Sequence, residues 1–176
     1  MKTRFIGIDP GIFGAVARVC LSARIARVID MPLREIGTKQ ARSRNCIDPQ
    51  GLKELLDQLA TPENETIIVI EKIHARQGEG VSSVFTAGRG YGIIEGVLAG
   101  MNIETRFIRA IEWRRYWDLS GKSNDGSAWK AKNILKERSR QKAIEIFPEA
   151  ALSRKKDHNR AEALLIAEFA KRTQNT

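Results

Sequence analysis

Cysteine is scarce in this chain: only Cys20 and Cys46 occur among 176 residues. They lack the paired CxxC spacing of a zinc site, and a lone disulfide is out of place in a reducing compartment. Both read as ordinary residues. No stretch approaches the roughly 20 apolar residues that a membrane span needs. The opening Met-Lys-Thr-Arg-Phe leads straight into a strand, with neither a signal peptide's apolar run nor a transit sequence's Ser/Arg-rich character. A cytoplasmic location is the expectation. Repeats and low-complexity tracts are absent, so a single domain over residues 1–176 is expected. Acid is in deficit, with 21 Asp and Glu against 30 Lys and Arg and a net charge of +9. That excess favours a polyanionic partner through Coulomb attraction and counterion release. No strongly apolar amphipathic face accompanies it, which argues against a membrane surface.

What is present is a succession of short apolar runs. Residues 4–9 read as a buried central strand, and 13–20 and 24–31 as two more, with Leu21-Ser22-Ala23 as a hairpin link. Residues 33–48 are polar and basic without a period and are assigned to a loop. Asp48-Pro49 starts a helix that carries Leu52, Leu55, Leu56 and Leu59 at three- and four-residue spacing. A strand over 66–70 follows, then a charged loop over 72–80. A helix over about 81–100 holds Gly88, Gly90, Gly92, Gly96 and Gly100. Each glycine inside a helix costs up to about 1 kcal/mol relative to Ala, so close approach to the sheet, a second copy or a nucleic-acid backbone is expected to offset it. A strand over 103–108, a short helix over 110–118, a loop over 119–127 and helices over 128–146 and 158–172 complete the chain. The order βββ-α-β-α-β-α-α-α predicts an α/β fold with a mixed sheet, three antiparallel strands then two more, flanked by helices.

Chemistry points to the strand ends. Asp9 closes Phe5-Ile6-Gly7-Ile8 and is followed by Pro10-Gly11 and Gly14-Ala15; Glu71 closes Thr66-Ile67-Ile68-Val69-Ile70. If the two strands are neighbours, both carboxylates stand side by side. Near the C-terminus Asp157, His158 and Glu162 open an apolar helix, with His158 and Glu162 four apart and so on one face. Phosphodiester hydrolysis needs an activated water and neutralised charge on the leaving oxygen, which two Mg²⁺ ions supply, and Mg²⁺ takes a few converging carboxylates.

Four motifs in order carry a resemblance. Ile6-Gly7-Ile8-Asp9-Pro10-Gly11 with Gly14-Ala15, Ile68-Val69-Ile70-Glu71, Phe85-Thr86-Ala87-Gly88-Arg89-Gly90-Tyr91-Gly92 with Gly96-Val97-Leu98, and Asp157-His158-Asn159-Arg160-Ala161-Glu162-Ala163-Leu164-Leu165-Ile166-Ala167 span nearly the whole chain. Together they resemble the RuvC-type Holliday-junction resolvases of the ribonuclease H-like superfamily, in particular compact phage-type members. The resemblance implies a bacterial or phage-encoded homodimeric endonuclease that nicks four-way DNA junctions in pairs with Mg²⁺, or Mn²⁺ in its place. Asp9, Glu71 and Glu162 match three metal ligands of that family. The fourth position, commonly Asp, holds His158 here, with Asp157 one residue earlier as the alternative; an imidazole shifts preference somewhat toward Mn²⁺.

The basic residues fit a DNA partner. Lys130, Lys132, Lys136, Arg138, Arg140 and Lys142 lie along one helical segment, and Arg154, Lys155 and Lys156 follow. Lys122 in the Gly/Ser loop and Arg138 are candidates for phosphate or transition-state contact. In the loop after Glu71, His74 lies in the region where the family places a junction wedge, and its flat ring suits that role; Arg76 in the same loop is a further DNA-binding candidate. Trp113 and Trp117 at four-residue spacing read as core or interface; Trp129 joins them as a possible stacking surface. Two other readings stay open: a different ribonuclease H-like nuclease acting on flaps or RNA, and a junction-binding protein without catalysis.

Overall fold

The computed structural model describes residues 3–21, 23–37, 44–61, 64–75, 78–120, 122 and 126–174. Five strands form one sheet: β1 (Arg4–Asp9), β2 (Ala15–Cys20), β3 (Ala23–Asp30), β6 (Thr66–Lys72) and β7 (Glu104–Arg109), in the order β3-β2-β1-β6-β7. β1 pairs antiparallel with β2 and parallel with β6, and β7 runs parallel to β6 on the far edge. This is the mixed sheet expected, three antiparallel strands and then two more. The hairpin residue Ser22 and part of the 119–127 loop lie outside the described residues.

One expectation fails. The supposed loop over 33–48 contains β4 (Leu33–Ile36) and β5 (Arg44–Ile47), a separate antiparallel pair. Four-residue strands rich in Arg, Glu and Asn have too few apolar positions to show a period. They form because the end of β5 is buried: Cys46 and Ile47 are 7% and 1% exposed, and Ile47 joins the core on one side of the sheet.

Strand alternation divides that core. Ile6, Ile8, Val16, Ile68 and Ile70 face α1 (Pro49–Leu59) and α2 (Val81–Ala99). Asp48 caps α1 by accepting from the Gln50 amide, Pro49 opens it, and the four leucines are buried as predicted. On the opposite side Phe5, Ala15, Ala17, Val19, Ile67 and Val69 pack with α3 (Ala110–Tyr116), α4 (Ala128–Ile146) and α5 (His158–Thr173). α5 is buried continuously from Ala161 to Glu168, with Glu162 and Glu168 the two acids inside an otherwise apolar run.

Two glycines fix how closely these layers meet. A Cβ on Gly7 would lie 2.2 Å from the Ala163 carbonyl oxygen and 2.5 Å from the Ala167 nitrogen, so α5 rests directly on the backbone of β1. A Cβ on Gly14 would lie 2.0 Å from the Asp9 carbonyl oxygen, so the β1–β2 turn folds tightly over the end of β1. The glycines of α2 behave differently. Gly90 meets Ile47 at 3.3 Å, but Gly88, Gly92 and Gly96 have nothing within 4 Å of an added Cβ. Packing against the sheet therefore does not account for these three.

Gly7→Ala is expected to destabilise the protein by about 3 kcal/mol or more, because the obstructing atoms are helix backbone that cannot rotate away. Urea unfolding monitored by circular dichroism measures this; a loss below 1 kcal/mol would show that α5 does not seat on β1 as described.

Candidate active site

Residues of one parity along β1, Phe5, Gly7 and Asp9, look toward α5, as do Ile67, Val69 and Glu71 on β6. In the parallel register Ile8 lies opposite Ile70, so Asp9 and Glu71 are the next positions on adjacent strands. Since α5 crosses β1 at Gly7, its first turns hang over the same strand ends and bring Glu162 to the two carboxylates. Glu71 and Glu162 side chains are only 12% and 11% exposed.

Three carboxylates held this near each other in a desolvated place repel. Burial first, then the charges of Glu162 and Glu71, push the Asp9 carboxyl well above its ordinary value, while Arg114 and Lys136 pull the other way. Glu162 is raised too, mainly by burial and secondarily by Glu71, against the opposing charge of Arg114. No side-chain hydrogen bond reaches Asp9 among the described residues.

Two neighbours escaped the sequence reading, and both come from α3. Trp113 is fully buried and donates its indole Nε1–H to Glu71 Oε2 at 2.7 Å. Its core location agrees with the sequence expectation; its hydrogen bond does not follow from spacing. Arg114 places Nη2 3.4 Å from Glu162 Oε2 and 3.6 Å from Glu71 Oε2, and its guanidinium carbon lies 5.0 Å from the centre of the Trp113 ring. The only available signal was topological: α3 begins right after β7, whose Ile108 pairs with Glu71.

His158 stands one helical turn before Glu162. Its Nδ1 lies 3.3 Å from the Lys155 carbonyl oxygen; a carbonyl only accepts, so Nδ1 carries the proton and Nε2 keeps its lone pair. Burial first, then Lys136 and Lys132, lower its pKa against the opposing carbonyl contact and Asp157, so the ring is neutral near pH 7. Asp157, 2% exposed, is engaged elsewhere: it accepts from the Arg154 amide at 2.8 Å and from Arg154 Nη2 at 2.7 Å. Burial would raise its pKa, but these bonds and the Arg154 charge hold it below the usual range. Among the described residues no three His, Cys, Asp or Glu groups close on one point as a ready-made ion site.

The basic residues divide. Lys136 acts on Asp9, Glu162 and His158, and Lys132 on His158, so Lys136 lies near the acidic group and Lys132 near His158. Arg138 donates to the Ser120 carbonyl and hydroxyl, Arg140 to Glu137 and the Leu152 carbonyl, and Lys142 pairs with Glu145. Lys130 lies in the first turn of α4, its amide donating to the Ser127 cap at 3.4 Å. Lys122, Lys155 and Lys156 are exposed, as is His74. Arg76 lies outside the described residues. His74, Lys72, Arg109, Arg114 and Arg115 line a cavity of about 710 Å³ beside the carboxylates. Trp117 is core, its indole donating to the Leu165 carbonyl, whereas Trp129 is 73% exposed.

Sequence comparison with family models and with curated proteins finds no match. Structural comparison does. RuvC of Thermus thermophilus in complex with a Holliday junction substrate aligns over 98% of this chain and 95% of that one, at TM-score 0.54 and 14% identity. Another Thermus thermophilus RuvC structure aligns over 99% of this chain and 97% of that one, at TM-score 0.52 and 15% identity. This chain has the RuvC fold. The sheet and its helices are therefore ribonuclease H-like, as the sequence resemblance implied, and the likeness to RuvC extends from end to end at low identity.

Within this RuvC-like fold the raised Asp9 carboxyl has a consequence for stability. The native state binds the proton more tightly than the unfolded chain, so stability falls as pH rises from near 3.8, the ordinary Asp value, through the higher native value. Asp9→Asn is therefore expected to melt higher than wild type at neutral pH in metal-free buffer, with the difference shrinking as pH falls toward 4. A melting temperature unchanged or lowered at neutral pH would contradict the electrostatic account.

Proposed function

We propose that this protein is a structure-selective endodeoxyribonuclease that resolves four-way DNA junctions by paired, metal-dependent hydrolysis of phosphodiester bonds. The observation that carries the reading is the meeting of Asp9, Glu71 and Glu162 at the ends of β1 and β6 beneath α5, within a RuvC fold. The solved RuvC complex contains a Holliday junction, and the same class of branched DNA suits the net charge of +9 on this chain.

The donor chemistry fits Mg²⁺, or Mn²⁺ in its place. Asp9, Glu71 and Glu162 offer hard oxygen atoms with too little cationic compensation, and His158 offers Nε2 from the same face of α5. A divalent cation there supplies Lewis acidity and an activated water. The chain's own groups do the rest. Trp113 holds one Glu71 oxygen in place, and the Lys155 carbonyl sets the His158 ring. Lys132 and Lys136 bring positive charge to where a DNA phosphate would approach the carboxylates. His74, on the rim of the neighbouring cavity, is placed to stack on an opened base of the branch.

Paired nicks need two sites and hence two copies of the chain. The outward face of α2 is the proposed seam: Gly88, Gly92 and Gly96 are four apart with open space before them. Val81 and Phe85 expose 87% and 70% of their surface at the start of the same helix.

Asp9→Asn and Glu71→Gln are each expected to lower cleavage of a labelled immobile junction by about 10²-fold or more, since even supporting groups around metal ligands cost 10- to 100-fold. Cutting in Mg²⁺ or Mn²⁺ but not EDTA, at paired sites and on the junction rather than a matched duplex, is the expected pattern. Equal cutting of duplex would favour a less selective nuclease, and tight binding without cutting a junction-binding protein. Gly92→Leu, which the protomer tolerates for space, is expected to halve the mass seen by light scattering; an unchanged dimer mass would move the seam elsewhere.

A further inference from the structure

The acidic group contains a counter-charge of its own. Arg114 Nη2 lies between Glu71 and Glu162, at 3.6 and 3.4 Å. Neither contact is a good charged hydrogen bond, which is normally 2.7–2.9 Å, and there is no bidentate fork on either carboxylate. Arg114 Nε is buried without any hydrogen-bond partner. The side chain thus faces two anions through one nitrogen, supported from below by the Trp113 ring at 5.0 Å, and makes only a long hydrogen bond, 3.4 Å, to Glu162. On its other side is the 710 Å³ cavity, which Arg114 also lines together with Asp118.

We infer that Arg114 is a resident counter-ion, occupying the space between Glu71 and Glu162 that a divalent cation would take, and that the cation binds by displacing its guanidinium toward the adjacent cavity. The inference rests on the metal-dependent reading above. It explains why the carboxylates stand near one another yet close on no single point. One guanidinium nitrogen, Nη2, stands between them. Arg114 is accordingly a positioning residue: it neutralises the strand ends before the metal arrives and sets a threshold for its arrival.

The test is Mn²⁺ binding to the whole protein without DNA, followed by the electron paramagnetic resonance signal of free Mn²⁺. Wild type, Arg114→Met, Arg114→Lys and Asp9→Asn are compared. Met keeps the apolar stem and removes the charge; Lys keeps the charge but lacks the planar guanidinium whose Nη2 reaches both carboxylates from over the Trp113 ring. Both Arg114 variants are expected to bind Mn²⁺ about tenfold more tightly than wild type, a coupling of ordinary size for competing ligands. They are also expected to melt lower than wild type without metal and to gain more in melting temperature when Mn²⁺ is added. Tighter binding in Arg114→Met with wild-type affinity in Arg114→Lys would reduce the effect to simple repulsion and overturn displacement. Equal affinity in all three would overturn it while leaving the metal reading intact. Absence of any Mn²⁺ binding that Asp9→Asn abolishes would remove the metal reading and this inference with it.

Discussion

The contact between α5 and the backbone of β1 at Gly7 governs the rest of the molecule. A helix can lie this close to a strand only where the strand has no side chain, and a Cβ at Gly7 would collide with two backbone atoms of α5. This approach buries the run from Ala161 to Glu168 and fixes where the helix points. Because Glu162 is one residue before Ala163, which touches Gly7, its carboxylate is carried to the end of β1. The same glycine that lets the layers close therefore determines that a third acid joins Asp9 and Glu71.

That closure has an electrostatic cost. Hydrophobic burial on both sides of β1 and β6 is what removes water from the strand ends, and the removed water would otherwise have screened the acids. The protein answers with a small number of directed groups instead of solvent. Trp113 donates a neutral hydrogen bond to Glu71, Arg114 supplies a charge between Glu71 and Glu162, and Lys136 acts from α4 at longer range. Asp9 receives no side-chain hydrogen bond among the described residues. An acid left this way is poorly placed for stability, and under the metal-dependent function proposed above it would be free to ligate a cation.

Much of this was legible in the sequence, for reasons that differ from element to element. β1 and β6 are continuous apolar runs ended by a carboxylate, so their burial and the placing of Asp9 and Glu71 followed from composition alone. The leucines of α1 sit at helical spacing behind Asp48-Pro49, and the structure returns that helix with its cap. β4 and β5 were illegible because four residues with only two apolar positions cannot display a period; their pairing is set by the core that Ile47 enters. Arg114 was illegible for another reason. Nothing in Glu112-Trp113-Arg114-Arg115 distinguishes the residue that turns inward, and its partners are 43 and 48 positions away in the chain. Spacing put His158 ahead of Asp157, since it lies four residues before Glu162; the pairing of buried Asp157 with Arg154 and the contact of His158 with the Lys155 carbonyl separate their surroundings further, and neither shows in the sequence.

The basic surplus also needs to be read through the fold. Taken as a run, the residues from Lys130 to Lys142 form one cationic stripe. In the structure Arg140 and Lys142 are paired with acids of their own helix, and Arg138 is spent on Ser120, fastening the loop before α4. Such surface pairs contribute little to stability, but they reduce the charge available to a partner at those positions. Lys132 and Lys136, one turn apart, have no ion pair among the described residues; both lie near His158, and Lys136 also near the carboxylates. Positive charge is thus left uncompensated beside the acidic group and largely compensated further along the helix. Under the nuclease function proposed above, a polyanion drawn to that stretch of surface would be directed to the strand ends rather than spread along α4, so that this focusing, more than the net charge of the chain, would tie its basic character to the acidic site.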